Sequence, residues 1–558
     1  MSAPLEPARQ AHRLSVVIAT RNRAQLLRLC LESLDRQTAA PEDYEVVVVV
    51  DGSSDGTAEM LDRLEPRHEL TVVEQPHSGA SAGRNAGAAR ARGTVLLFLD
   101  DDEVAGEDLV SAHLEAHRTQ ERIVVIGAIE RRVPERADRY ARLSAVDAAW
   151  RIEQLKLRAP TFWDCFGGNC SLTRATFEES GGYDAERESE SDTELAYRLH
   201  ALGCEFVFEP GAVVSEYRTR PWRGIVADTT RRGRVAVDLY RRHPEMIALM
   251  PLGGSGELSL ARSTQAIAGA MLALRVPPDV LATAGFLVPG RSWSQAWFAS
   301  TLRHAYWCGV RGAASPDLWR QLRGGTLILG YHAFGAEGEK PSRYVVPGRR
   351  FERQLAWLEH HRYNVISLGE YIEYRTAFRL PPARTVVITI DDVYEDTVTV
   401  AGPILERFGF VATVFPISAA GAHNDQATEP ALAGRPLIGA GAAHDLLAGP
   451  FEIGSHTRTH RDLTRIPASE ARAEIAGSKQ ELERALGVQV TAFAYPFGAS
   501  NPEVRSLVEE AGFLAARGIQ PGRNRPATDS FDLRWLEICG TYTLARFAAT
   551  LRLGDLRR

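Results

Sequence analysis

Three runs in this chain, YEVVVVVD at 44–51, TVLLFLD at 94–100 and TVVITIDD at 385–392, consist of β-branched and aliphatic residues that stop at aspartate. Short apolar runs of this kind read as strands, and the amphipathic AQLLRLCLESLDRQ between LSVVIAT and the first of them completes a strand-helix-strand unit. That alternation is the mark of a parallel α/β sheet, where ligands gather at the carboxyl ends of strands. The pattern restarts at TLILGYHAF and runs through the amphipathic RRFERQLAWLEHHRY to TVVITIDDVYED, VATVFPI and FEIGSH. Two α/β domains are therefore expected, and a length of 558 residues agrees at about 100 to 200 residues per domain. Between them, WRGIVADTTRRGRVAVDLYRRHPE and RSWSQAWFASTLRHAYWCGVRGA carry apolar residues at helical spacing. The expected division is a flexible N-terminus at 1–12, a first domain at 13–220, a helical connector at 221–325 and a second domain at 326–558.

Composition narrows the class. With 44% hydrophobic and 24% charged residues and a net charge of −6, the chain reads as a globular enzyme without a nucleic-acid partner. Its six cysteines form no C-x-x-C pair, which fits a reducing cytoplasm. Lysine occurs only at Lys156, Lys340 and Lys479 beside abundant arginine, a weak pointer to a GC-rich bacterial source. MSAPLEPARQAHRLSVVIAT lacks the pattern of a signal peptide, and no run reaches about 18 uninterrupted apolar residues. Trp293, Trp297 and Trp307, close to arginines, fit either a core stripe or a helix in peripheral contact with a membrane.

The acidic strand ends carry the chemistry. A lone Asp51 can cap a turn, whereas Asp100, Asp101 and Asp102 in succession ask for another partner. Asp391 against Asp392, with Glu395 and Asp396 close behind, is the same problem: like charges raise one member's pKa unless a cation or donors hold both. Downstream, SHTRTH sets His456 and His460 four residues apart, a spacing that on a helical turn points both imidazoles to one face. With a strand-end aspartate they make a three-ligand, zinc-type set that leaves a position for water.

SVVIATRNR, VVVDGSSDGT, GASAGRNAGAARARG, FLDDDE, GGNCSLTRATFEESGGYD and SDTELAYRL occur in the order found in family 2 glycosyltransferases, which residues 13 to about 220 resemble. The resemblance implies a nucleotide-diphospho-sugar transferase (Rossmann-like) fold and a UDP-sugar donor. It assigns Asp51 to the nucleobase, Thr20 and Arg84 to the nucleotide or its phosphates, and Asp100 and Asp102 to Mg²⁺ or Mn²⁺. Asp192 takes the place of the base that deprotonates the acceptor hydroxyl, with Glu190 and Glu194 as alternatives. Glu216 stands near a position where many relatives have a metal-binding histidine. Trp163 and Asn169 are candidate sugar contacts, and Trp163 fits the core equally well.

YHAF, TIDD, SHTRTH, FAYPFG and DSFDLRWLEICG follow the order of the polysaccharide deacetylases of carbohydrate esterase family 4, which residues 326 to about 550 resemble. That resemblance implies a distorted (β/α) barrel, Asp391 as general base, and Asp392, His456 and His460 as ligands of Zn²⁺ or another divalent transition metal. Backbone donors near Tyr495 are placed at the oxyanion. Three departures stand out: Val393 replaces the usual glycine, the arginine before Pro496 is missing, and no late Leu-x-His segment supplies the general acid. His332 fits that acid or packing under the first strand. Together the halves imply transfer of an N-acetylated sugar, GlcNAc from UDP-GlcNAc, to a glycan, lipid-linked or small-molecule acceptor, followed by deacetylation. The alternative is a transferase whose second half binds glycan.

Overall fold

A computed structural model describes all residues except 1–12, 119, 121, 135, 136, 138, 166, 187–190, 218–220, 255–268, 289, 337, 420–429 and 554–558. The expected flexible N-terminus at 1–12 therefore lies outside the described residues. The chain divides into two compact units: 1–235 with 262–309, and 236–261 with 310–558. The segment expected as a connector is thus shared between them. Its described parts are helical, including Trp222–Arg242, Pro278–Gly285, Arg291–Ala313 and Pro316–Gly324. In the second unit the Ala527 N–H donates to the Gly253 carbonyl at 3.0 Å, tying 236–261 to the far end of the chain.

The first unit holds one mixed sheet of β1 (Leu14–Thr20), β2 (Tyr44–Asp51), β3 (Glu69–Gln75), β4 (Val95–Asp100), β5 (Glu103–Ala105), β6 (Ile123–Arg131), β7 (Cys170–Thr173) and β8 (Glu205–Glu216). Their order is β3-β2-β1-β4-β7-β6-β8-β5. The first four are parallel, β7 runs antiparallel to both β4 and β6, and β5 runs antiparallel to β8. Every residue of β2 is buried, as a strand covered on both faces must be. The helix Ala24–Leu34 turns Leu27, Cys30, Leu31 and Leu34 onto the sheet. This is the expected α/β nucleotide-sugar transferase architecture.

The second unit builds β9 (Leu327–Tyr331), β10 (Ala333–Gly335), β11 (Val345–Pro347), β12 (Asn364–Ile366), β13 (Thr385–Asp392), β14 (Ala412–Pro416), β15 (Phe451–Ile453), β16 (Ala492–Ala494), β17 (Ala515–Arg517) and β18 (Leu536–Glu537). Parallel pairing runs β15-β14-β13-β9-β18. Single parallel bridges, Ser455 to Phe493 and Arg517 to Leu533, join the β16-β17 pair to both ends of that sheet. The result is a closed, irregular parallel ring, the expected distorted barrel. Closure is tight at Gly330, where a Cβ would fall 1.8 Å from the Trp535 ring. Because the strands are parallel, their acidic carboxyl ends share one rim. Among the described residues no helix is long and apolar enough to cross a membrane.

Candidate active sites

In the first unit Arg84, on the helix Ala80–Arg90, connects two carboxylates that are distant in sequence. Its Nη2 donates to Asp100 Oδ1 at 2.7 Å and its Nη1 to Asp192 Oδ1 at 2.9 Å. Burial opposes the guanidinium's charge, but Asp192 and Asp100 outweigh it and lift the pKa well above the ordinary value. Asp192 stands in the first turn of the helix Ser191–Ala201. Its carboxylate faces Gly167, whose φ is +73° and where a Cβ would lie 2.3 Å from the carboxyl carbon. Glycine is needed there both for its backbone angle and for its missing side chain. Glu194 is turned to Arg198 at 2.8 Å, and Glu190 lies outside the described residues.

The rest of the acidic run is held from behind. Asp101 accepts from Thr20 Oγ1 at 2.8 Å and Arg23 Nη1 at 2.6 Å, and Asp102 Oδ2 lies 3.3 Å from Arg23. Burial, and then the charge of Asp100, raise the Asp102 pKa, with Arg23 offsetting part of it. Carboxylates short of positive charge suit a divalent cation. Buried Glu103 accepts the Asp100 N–H at 3.0 Å; burial and then Asp100 push its pKa well up, toward a neutral acid. Glu216, opposite Glu103 in the sheet, accepts from Arg131 at 2.9 Å.

Three expectations change here. Thr20 turns its hydroxyl inward to Asp101, so its side chain supports the acidic run instead of lining a nucleotide cleft. Asp51 accepts from Gln75 (2.8 Å) and the Ser78 N–H (2.7 Å) at one oxygen, and from His77 (2.8 Å) and the Gly79 N–H (2.9 Å) at the other. Burial opposes its charge, yet those donors hold its pKa below the ordinary value. All four lone-pair positions of the carboxylate are used, so a nucleobase must displace a donor to bind it. Asn169 is fully buried: its Nδ2 donates to the Ala128 (3.1 Å) and Ala212 (2.8 Å) carbonyls, and its Oδ1 meets His113 Nε2 at 2.9 Å. It staples the core and is not a sugar contact. Trp163 packs on Phe162, with ring centroids 5.2 Å apart.

On the rim of the second unit, Asp392, His456 and His460 present ligand atoms that all lie within 4.8 Å of one another. Asp392 Oδ1 is buried without a hydrogen-bond partner and stands 3.7 Å from His456 Nε2 and 3.6 Å from His460 Nε2. A buried carboxylate oxygen without a donor is costly unless a cation meets it. His456 Nδ1 donates to the Ala494 carbonyl at 2.8 Å, which leaves the Nε2 lone pair facing Asp392, and burial lowers its pKa to about 3. The residues therefore fit a divalent metal with nitrogen and oxygen ligands. The expected helical turn is absent: residues 455–460 form a loop, with Thr457 and His460 at φ +67° and +58°. Glu474, from the helix Ala468–Leu486, organises it by accepting the Arg458 N–H (3.0 Å), the Thr459 N–H (2.8 Å) and the Thr459 hydroxyl (2.7 Å).

Asp391 is paired with Arg517, which is fully buried at the end of β17 and stacks on the rings of Trp535 and Phe415. This arginine supplies a charge that the motif before Pro496 lacks. It was legible only as a charged residue in an otherwise small apolar strand, AAR. His332 Nε2 lies 4.0 Å from Asp391 Oδ2, its ring edge-on to Tyr344, and burial lowers its pKa to about 4. Val393, at the usual glycine position, has φ +60°. The Tyr495 N–H itself donates to the Arg517 carbonyl at 3.2 Å, which leaves the expected oxyanion donation to its neighbours.

Residues 15–181 match the family model "Glycosyl transferase family 2", and residues 379–516 match "Polysaccharide deacetylase". The chain joins a family 2 glycosyltransferase domain to a polysaccharide deacetylase domain. Over 223 residues it is 35% identical to validoxylamine A glucosyltransferase of Streptomyces hygroscopicus subsp. limoneus, covering 34% of this chain and 48% of the relative. Over 195 residues it is 28% identical to YxkH of Bacillus subtilis, provisionally named a polysaccharide deacetylase, covering 35% of this chain and 64% of the relative. The chain thus spans about half to two thirds of these relatives. Among solved structures, the Streptococcus pyogenes deacetylase PplD is similar at 21% identity and a TM-score of 0.36, over 41% of this chain and 98% of that one.

Proposed function

We propose that the chain is a bifunctional carbohydrate enzyme. Its first half transfers an N-acetylated hexosamine from a nucleotide donor, UDP-GlcNAc, to an acceptor hydroxyl, and its second half hydrolyses the acetamide of the product. The observation that carries this reading is the Asp392, His456 and His460 cluster with Asp391 beside it, in the same chain as a family 2 transferase domain. An amide-cleaving site joined to a sugar transferase gives the donor a reason to carry an acetyl group.

In the transferase, Asp192 receives the acceptor proton, and Arg84 aligns it with Asp100. Asp100 and Asp102 would hold Mg²⁺ or Mn²⁺, which would supply the positive charge that a leaving diphosphate needs. In the deacetylase, Asp392, His456 and His460 would hold Zn²⁺ or a similar ion, which would supply Lewis acidity toward the acetamide carbonyl and a water. Asp391 accepts the proton, and Arg517 keeps it ionised to do so. His332, neutral at the outset and 4.0 Å across from Asp391, takes up the proton that Asp391 has drawn from the water and passes it to the leaving amine, which returns both groups to their starting state.

One observation favours a second reading. The relative at 35% identity is named a glucosyltransferase, and on that second reading the donor sugar is glucose and the deacetylase acts on a different substrate. Both are tested by incubating the full chain with UDP-GlcNAc or UDP-glucose, a divalent metal and a panel of glycan, lipid-linked and small-molecule acceptors, with mass detection of sugar gain and acetate loss. Transfer of GlcNAc followed by a 42 Da loss supports the first reading (the mass of the acetyl group less one hydrogen, about 42 Da). Transfer of glucose alone sinks it.

A further inference from the structure

The segment shared by the two units differs from the rest of the chain in charge. Residues 221–325 contain thirteen arginines, no lysine and six acidic residues, a formal charge of +7. Since the whole chain carries −6, the remainder carries −13. Within this segment, in the first unit, apolar side chains are also unusually exposed: Leu287 is 86% exposed, Leu274 74%, Trp293 72%, Val280 54% and Phe286 42%. Five of the seventeen large exposed apolar side chains among the described residues fall between positions 274 and 293. Scattered exposure needs no explanation, but this concentration does.

The surface is built on a fixed base. The helix Pro278–Gly285 buries Leu281, Ala282 and Gly285, and Ala282 packs with Val226, Phe298 and Ala305. The Leu281 carbonyl accepts from Trp297 Nε1 at 2.7 Å, and the Gly285 carbonyl from Arg139 at 3.2 Å. Beyond the helix the turn continues, with the Leu287 N–H on the Ala284 carbonyl at 3.0 Å. Val280 and Leu287, seven residues apart, therefore share the outward side. Arg275 is exposed beside Leu274, and Arg223 lies over the Trp222 ring, which itself meets Phe286. Asp279 is the acidic residue within the stretch 274–293.

We infer that this surface docks on an anionic lipid bilayer, with Leu274, Leu287 and Trp293 entering the headgroup boundary and arginines meeting lipid phosphates. Amphipathic surfaces with aromatic and leucine tips and cationic flanks bind membranes by the sum of buried apolar area and attraction to anionic lipid. A second copy of the chain fits less well, because a face with its own twofold partner would set like against like in a part of the first unit, 221–235 with 262–309, that carries eight arginines and two acidic residues.

The test is co-sedimentation of the full chain with vesicles of phosphatidylcholine alone or with about one third phosphatidylglycerol. Binding to the anionic vesicles, weakened by salt and at least tenfold weaker on neutral ones, is expected. Leu274→Ser, Leu287→Ser and Trp293→Ser combined should cut anionic-vesicle binding at least tenfold, and Arg275→Glu roughly fivefold or more. These side chains are exposed, so melting temperature and transfer to a water-soluble acceptor should stay at wild-type values. Failure of the wild type to sediment with anionic vesicles overturns the inference, as does a triple variant that binds like wild type. A concentration-dependent dimer that the triple variant abolishes, without vesicle binding, assigns the surface to a second copy and overturns it too.

Discussion

Arg517 shows how a single residue can compensate for a broken motif. Its guanidinium sits beside Asp391 although 126 residues separate them, and ring stacking on Trp535 and Phe415 fixes its plane. Replacing it with Met removes the positive charge that, in the proposed mechanism, lets Asp391 act as the base. The acid limb of the deacetylation pH profile should then move to higher pH, and kcat should fall by about one to two orders of magnitude with KM little changed. An unmoved limb would reduce Arg517 to packing. Val393 is a second residue-scale case. A β-branched residue at φ +60° carries backbone strain of about 1 to 3 kcal/mol, while its buried side chain contributes roughly 1.5 to 3 kcal/mol. Val393→Gly should therefore shift the unfolding free energy by less than about 2 kcal/mol, where ordinary truncation of a buried valine to glycine costs more; chemical denaturation measures it. His456 and His460 could be paired in the sequence because four residues separate them, whereas Asp392, far upstream, was joined to them only by the order of the motifs; the structure gathers all three. Arg517 and Glu474 were not, because a buried charge announces that it has a partner without saying which.

At the scale of elements, the strands were read well and the loops poorly. Continuous apolar runs such as YEVVVVVD and TVVITIDD leave one solution, a strand buried on both faces. SHTRTH was read as a helical turn, and that reading failed because Glu474 from another helix collects the loop's N–H groups. Asn169 was misread for the same reason: its partners, His113 and the Ala128 and Ala212 carbonyls, come from other elements. That network makes a pH prediction. Burial lowers the His113 pKa from 6.5 to about 4. The unfolded chain then binds more protons than the folded one between those values, so stability is lost as pH falls through that window. The loss is on the order of 3 kcal/mol if the window is crossed completely. Melting of the first unit should drop between pH 7 and pH 4.5 (about 2.5 units of acidification), and less steeply in His113→Gln. Equal slopes would clear His113 of the effect.

At the scale of the molecule, each site belongs to its own sheet and its own core. Asp102→Ala should abolish sugar transfer while leaving acetate release from a supplied N-acetylated glycan near wild type, and His456→Ala should do the reverse and let the acetylated product accumulate. Mass detection of both products checks the crossing, and a melting curve guards against unfolding of the domain that loses its ligand. Loss of both activities from either substitution would mean that the halves work as one site. The division of the chain also bears on how a ribosome can make it. Residues 236–261 leave the exit tunnel early and carry Met246, Ile247 and Leu252, all buried in the finished protein. Yet Gly253 finds its partner only when Ala527 arrives, a delay of roughly ten to sixty seconds at about 5 to 20 residues per second. During that interval the nascent protein displays an oily stretch in the middle of an otherwise complete first unit, a natural landing place for a holdase chaperone and a point where slow translation would favour clumping.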